Sequence, residues 1–147
     1  MQKGNLFVGK IASKAGFTLM EVMIVVVIVA ILAAVAVPSY LTHVQTSRRS
    51  EGRTQLVRIA NLQESYFLDN SKYGSLMELG LTATSGATYT TENGYYSIGV
   101  TLSGSSAYTL TASASGAQAS DALCATLSLT QDGTKSSSTG SVDQCWK

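Results

Sequence analysis

The 147-residue sequence has one histidine, one tryptophan, one proline and two cysteines, and only 13% of its residues are charged. A lone histidine, His43, has no second imidazole with which to build a metal centre and no motif around it for acid–base catalysis, so a surface or interfacial place is expected of it. Serine and threonine are plentiful, but no base stands beside them in a motif, and no Gly-rich phosphate loop or metal-spaced cluster occurs. The expectation is a chain that is not an enzyme and carries no metal and no cofactor. Net charge is +1, and −2 once residues 1–16 are set aside (7 basic minus 9 acidic), so neither figure implies bulk attraction to nucleic acid. The two cysteines, Cys124 and Cys145, bracket a Gly/Ser-rich stretch near the end of the chain. Such a pair fits one disulfide in an oxidising compartment or two reduced thiols in the cytosol.

What is present is concentrated in one block. Phe17 to Val37 is an apolar run of 21 residues interrupted by a single charge, Glu21. As a helix it would be about 31 Å long, close to the roughly 30 Å hydrocarbon thickness of a bilayer. Val and Ile dominate residues 22–29, a poor helix in water but no obstacle in lipid, where backbone groups must bond internally. Three membrane readings compete. Lys3, Lys10 and Lys14 with Ala34-Val35-Ala36 suit a cleaved secretory signal, although the apolar stretch is longer than such signals use. The others are a membrane-spanning helix and an ordinary signal anchor with the charge tolerated near the end of the span. Orientation is not decided by charge, because Arg48, Arg49 and Arg53 balance the three lysines.

Glu21 discriminates among them. Thr18-x-x-Glu21 ahead of an apolar run matches a helix capping box, which would account for both residues structurally. An acid at mid-membrane costs about 2.5–3.5 kcal/mol, less near an end, and such groups usually have a partner. The run contains no lysine or arginine. A partner would have to come from another molecule or from a new amino terminus.

Gly16-Phe17-Thr18-Leu19-x-Glu21 followed by an unbroken apolar helix resembles the class III signal of type IV prepilins and related pseudopilins. The resemblance implies cleavage between Gly16 and Phe17 by a prepilin peptidase on the cytoplasmic side, N-methylation of Phe17, and retention of the apolar helix. It also implies that Glu21, fifth from the cut, neutralises the amine of a neighbouring subunit during filament assembly. Pro38, the twenty-second residue counted from Phe17, matches the helix-bending proline of similar pilins, so a bend is expected near Val37. Ala30 stands where many pilins have glycine, and the 16-residue leader is longer than many. The implied organisation is a cleaved leader at 1–16, a transmembrane and filament-core helix at 17–40, and a periplasmic or extracellular globular domain at 41–147.

Beyond Tyr40 helical spacing resumes, with Leu56, Ile59, Ala60, Gln63, Tyr66 and Phe67 on one face, predicting one helix over residues 17–68 stopped by Asp69-Asn70-Ser71. Arg48, Arg49, Arg53 and Arg58 read as a solvated face. "LMELGL" suits a loop with a helical turn or two. Period-2 stretches at 94–102 and 107–114 flank "SGSS" as a hairpin, and a third strand is predicted at 123–130 before the turn Gln131-Asp132-Gly133. Tyr95 and Tyr96 must face opposite sides of their strand, so the sheet can bury one at most. The fold class expected is α+β, a long N-terminal helix against a small antiparallel sheet of about four strands, with Cys145 returning the tail to the third strand. Here too the chain is similar to type IVa pilins. "ESYFLDNSKYG", "NGYYSIGV", "YTLTASASGAQASD", "CATLSLTQDGTK" and the terminal "CW" resemble minor pilins of the PilE type. The function implied is a pilus subunit supporting assembly, adhesion, twitching motility or DNA uptake. Its implied partners are other pilin subunits, the prepilin peptidase, inner-membrane lipid and the assembly machinery. It would reside first in the inner membrane as a single-pass precursor and then in the extracellular pilus. A type II secretion pseudopilin is an alternative against which the cysteine pair counts, since major pseudopilins usually stabilise that region with calcium. A DNA-binding competence pilin is the other.

Overall fold

The computed structural model describes residues 16–147; Lys3, Lys10 and Lys14, and the other residues of the leader expected before Gly16, lie outside the described residues. The chain divides between Ser39 and Tyr40 into two compact units. Helix α1 (Leu19–Asn70) contributes to both and continues through Pro38 as one helical element.

In the first unit the apolar run is helical and its most hydrophobic 18-residue window has a mean hydropathy of 3.0, with none of it buried. A helix that shows Val, Ile and Leu to its surroundings on every side is stable where those surroundings are hydrocarbon, and it is long and apolar enough to cross a membrane.

In the second unit α1 lays one stripe on a sheet: Arg49, Gly52, Leu56, Ile59 and Gln63 are buried at spacings of three and four. The expected face is therefore present from Leu56 to Gln63, but it reaches one and two turns further back than its hydrophobicity shows. Arg49, expected on the solvated face, is a core residue. At the other end of the helix, Asn70 donates from Nδ2 to the Tyr66 carbonyl at 3.0 Å, and Ser71 takes a left-handed backbone (φ 54°) and ends the element.

The sheet is an antiparallel meander in the order β1 (Tyr89–Thr90), β2 (Tyr96–Ser103), β3 (Ala107–Ala114), β4 (Thr126–Thr130) and β5 (Lys135–Ser137). β2 and β3 pair in full register, with Ile98 opposite Ala112 and Val100 opposite Leu110, and Gly104 supplies the positive φ of 68° that their connection needs. Alternation places Tyr96, Ile98, Tyr108, Leu110, Ala112, Leu127 and Leu129 on the face covered by α1, where they join Leu56 and Ile59 in one core. Each fully buried Leu or Ile there contributes about 1.5–3 kcal/mol. Tyr96 is fully buried while Tyr95 is only partly so.

The structure refines the expected architecture at three places and corrects it at one of them, the start of the third long strand. The expected sheet of about four strands is present with five, β1 and β5 being two- and three-residue edge pieces too short to carry a period. The third long strand, here β4, starts at Thr126 rather than 123, leaving Cys124 in the turn before it, since the Cys124 N–H bonds to a carboxylate instead of a ladder carbonyl. The tail "VDQCW" is a helix, α2 (Val142–Trp146), closed by a capping box in which Ser141 Oγ accepts from Gln144 N and Gln144 Oε1 accepts from Ser141 N. Residues 76–80 form turns only.

Candidate functional site

The residues expected to carry function fall into two places. In the first unit Gly16, Phe17, Thr18 and Glu21 lie together at the start of α1. Thr18 caps the helix, its Oγ1 accepting the Glu21 N–H at 3.2 Å while its carbonyl accepts from Glu21 N and Val22 N at 3.1 and 3.2 Å. Phe17 is 83% exposed, and Glu21 opens onto the surface beside Phe17, Val22, Val25 and Val26. Its carboxylate is the only charge between residues 16 and 39. A carboxylate on an otherwise apolar surface, one helical turn from a segment that bears the candidate cleavage point, can form an ion pair with a cation brought by another molecule. Pro38 lies far along the same helix and is not brought to this cluster.

In the second unit Cys124 and Cys145, 21 positions apart in sequence, form the disulfide. The sulfurs are fully buried, and Gly140 is pressed against them: a Cβ at that position would lie 2.7 Å from Cys145 Sγ. Beneath this loop lies a polar network that sequence reasoning missed. Arg49 from α1 holds Asp121 in a two-pronged pair, Nε to Oδ2 at 2.6 Å and Nη2 to Oδ1 at 2.8 Å, and its Nη1 donates to the Gln144 carbonyl at 3.2 Å. Asp121 Oδ1 also accepts the Cys124 N–H at 3.3 Å, and Oδ2 accepts from Gln118 Nε2 at 2.8 Å. Burial pushes the Asp121 carboxyl up, but the bonds from Arg49, Cys124 and Gln118 outweigh it and hold the group below its ordinary value. The hydrogen bonds to Asp121 raise Arg49 against the opposing effect of its burial. The one sequence signal for the pair would have been an aspartate three residues before a half-cystine, which is too common to select Arg49 as its partner.

The other basic residues remain at the surface. Arg48 stacks on Tyr95, 4.8 Å from the ring centre, and donates to the Ala117 carbonyl. On another face of α1, Ser50, Arg53, Thr54 and Val57 border an open groove completed by Lys135 and Trp146, where the Lys135 ammonium sits 5.3 Å from the indole centre. His43 is exposed. Among the described residues no group of three or more His, Cys, Asp or Glu side chains is placed to hold a metal ion.

This chain is similar to known proteins in both units. The family model of the type IV minor pilin ComP, DNA uptake sequence receptor, matches residues 38–128, well over half of the chain, and that of the prokaryotic N-terminal methylation motif matches residues 11–37. The type IV major pilin protein PilA of Myxococcus xanthus is 39% identical over 75 residues, which is 50% of this chain and 34% of that protein. The type II secretion system core protein G of Vibrio cholerae is 42% identical over 64 residues, 44% of each chain. These matches thus span from a third to under half of those relatives' lengths. A solved type IV pilin from Shewanella oneidensis is 25% identical, with 70% of this chain and 98% of that one covered and a TM-score of 0.49.

Proposed function

Because the chain belongs to the type IV minor pilin family of ComP, we propose that it is a structural subunit of a type IV pilus, made as a membrane precursor and assembled through its N-terminal helix. In this reading residues 1–16 are a leader removed after Gly16, residues 17–40 cross the inner membrane and later pack in the filament core, and residues 41–147 form the globular domain. The partners are other pilin subunits, the prepilin peptidase and the assembly machinery, and the final location is the extracellular pilus.

The observation that carries the reading is Glu21: an exposed carboxylate in the Thr18-capped first turn of a helix segment with no cation of its own. Two opposite charges about 4 Å apart attract by about 4 kcal/mol at an effective dielectric of 20, so a methylated Phe17 amine from a neighbour would favour the docked subunit over the lipid-embedded one. Mass spectrometry of membrane-extracted protein tests processing: a chain beginning at N-methylated Phe17 is expected, and an intact Met1 terminus would overturn the proposal. Glu21→Ala should be processed but poorly incorporated into filaments; equal incorporation would exclude the role given to Glu21.

A second reading, capture of DNA, is favoured by the groove of Arg53, Lys135 and Trp146, which offers two cations and an aromatic plane without a carboxylate among its lining residues. Removing one phosphate-neutralising cation should flatten the slope of log affinity against log salt by about 0.9. For Arg53→Ala/Lys135→Ala in the detergent-solubilised full chain the expected change is therefore about two. An unaltered slope, or no affinity in the parent protein, removes DNA capture by this groove.

A further inference from the structure

Arg49 is linked to both ends of the disulfide-closed segment, directly at one and through Asp121 at the other. On one side it grips Asp121, whose Oδ1 also takes the N–H of Cys124; on the other its Nη1 bonds the carbonyl of Gln144, the residue before Cys145. Arg49 is 72 positions from Asp121 and 95 from Gln144, so these bonds belong to the folded domain and not to local chain geometry. None of them uses a sulfur atom. Each can form while both cysteines are thiols.

We propose that Arg49 is a positioning residue for oxidation, docking both ends of the tail loop on one guanidinium so that the Cys124 and Cys145 thiols meet before their bond forms. The oxidation itself needs a disulfide oxidant. One cysteine, as thiolate, attacks a sulfur of the oxidant and displaces one of its thiolates, giving a mixed disulfide. The second cysteine thiolate then attacks the protein's sulfur in that mixed disulfide and releases the other thiolate of the oxidant. Two electrons pass from the two cysteines to the oxidant, and the two cysteine protons end on its two thiols or in solvent. What Arg49 changes is the second step, which is intramolecular: a free loop of this size presents the second thiol at about millimolar effective concentration, and docking raises that value.

The rest of the fold fits this order of events. Gln118 donates to Asp121 from the turn that follows β3, so the carboxylate is held in place independently of the tail. Asp121 is 2% exposed and Arg49 7%, which keeps competing water from the pair. The α2 capping box at Ser141 and Gln144 orders the last turn, from which Cys145 and the Gln144 carbonyl both project. The proposal does not depend on pilus assembly, and it can fail while the pilin reading stands.

The test uses the full chain in detergent micelles, reduced, then equilibrated in mixtures of reduced and oxidised glutathione, with free thiols trapped by alkylation and counted by mass. Arg49→Lys keeps the charge but cannot span Asp121 and Gln144 together; Arg49→Met removes both interactions. Both should lower the effective concentration of the Cys124–Cys145 pair by about tenfold or more, and Arg58→Lys, whose side chain bonds Gln55, should leave it unchanged. In concentrated urea all variants should agree with the parent. Leu56→Ala weakens the core without removing any hydrogen bond of Arg49 or Asp121 and separates positioning from general loss of stability. A Leu56→Ala chain that loses as much effective concentration as an equally destabilised Arg49→Lys chain would overturn the proposal. So would Arg49 variants within twofold of the parent in native buffer, or a deficit that persists in urea. Should Arg49→Met fail to fold when reduced, Arg49→Lys and Asp121→Asn supply the same comparison.

Discussion

Replacing Asp121 by Asn leaves the Arg49 guanidinium in a site where it is 7% exposed and its counter-charge is gone. Two bonds to a carboxylate, at 2.6 and 2.8 Å, become at best one bond from the guanidinium to an uncharged amide carbonyl, because the new amide offers a single acceptor oxygen where the carboxylate offered two. Leaving one partner of a buried ion pair unpaired costs about 3–5 kcal/mol, and the retained acceptor places the expected loss near the lower bound, about 3 kcal/mol. With a urea m-value of about 1–1.5 kcal/mol/M for a domain of this size, the midpoint should fall by about 2–3 M. The full chain in detergent suits the measurement, with the fluorescence of Trp146, the only tryptophan, reporting on the second unit. The double variant Arg49→Met/Asp121→Leu supplies the contrast: with neither charge present, the site should cost less than either single change, and it can match the parent. Two results would refute this account. One is an Asp121→Asn midpoint within 0.5 M of the parent (roughly 0.5–0.8 kcal/mol at that m-value); the other is a double variant weaker than both singles.

Asp121 is held below its ordinary pKa in the folded state, so its stabilisation is complete above the unfolded value of about 3.9 and is lost as pH falls through the lower folded value. Acid titration of Trp146 fluorescence should therefore show the second unit weakening below about pH 4, with Asp121→Asn flattening that part of the curve; an identical acid limb in the variant would contradict it. Gly52→Ala should destabilise, because the added Cβ would meet the buried Tyr96 ring at 2.9–3.1 Å. Overpacking of about 1–3 kcal/mol opposes a helix-propensity gain of about 1 kcal/mol, and a raised urea midpoint would show that the ring yields freely. Gly140→Ala should leave more free thiol after oxidation, since its methyl group would lie 2.7 Å from Cys145 Sγ and 3.0 Å from the Leu123 carbonyl; complete oxidation at the parent's rate, read by alkylation and mass, would exclude that clash.

Much of the candidate site was legible because its signals are local. The Thr18 cap of Glu21, the cation-free apolar run and the turn after Phe67 each depend on residues a few positions apart, and the structure has the Thr18 Oγ1 bond and the helix end at Asn70. Strands β2 and β3 were visible because eight residues suffice to show period-2 alternation, and β3 begins and ends at the residues expected. Strands β1 and β5 were not, because two and three residues cannot show a period. The capping box of α2 was written in the sequence as Ser141-x-x-Gln144, but no apolar run followed to give it weight.

Order and spacing along the chain were enough to establish a membrane-length helix, the carboxylate near its start, the motif that precedes it and a strand-rich region with one cysteine pair. It took the folded domain to place Arg49 in the interior, to make Gly52 the space for the Tyr96 ring, and to let Gln63 bond both the N–H and the carbonyl of Gly74. A charge, a glycine or an amide in a helix has the same local propensity whether it faces solvent or core. Its energy is set by partners that, for Arg49, lie 72 and 95 positions away and become neighbours only when the sheet has formed.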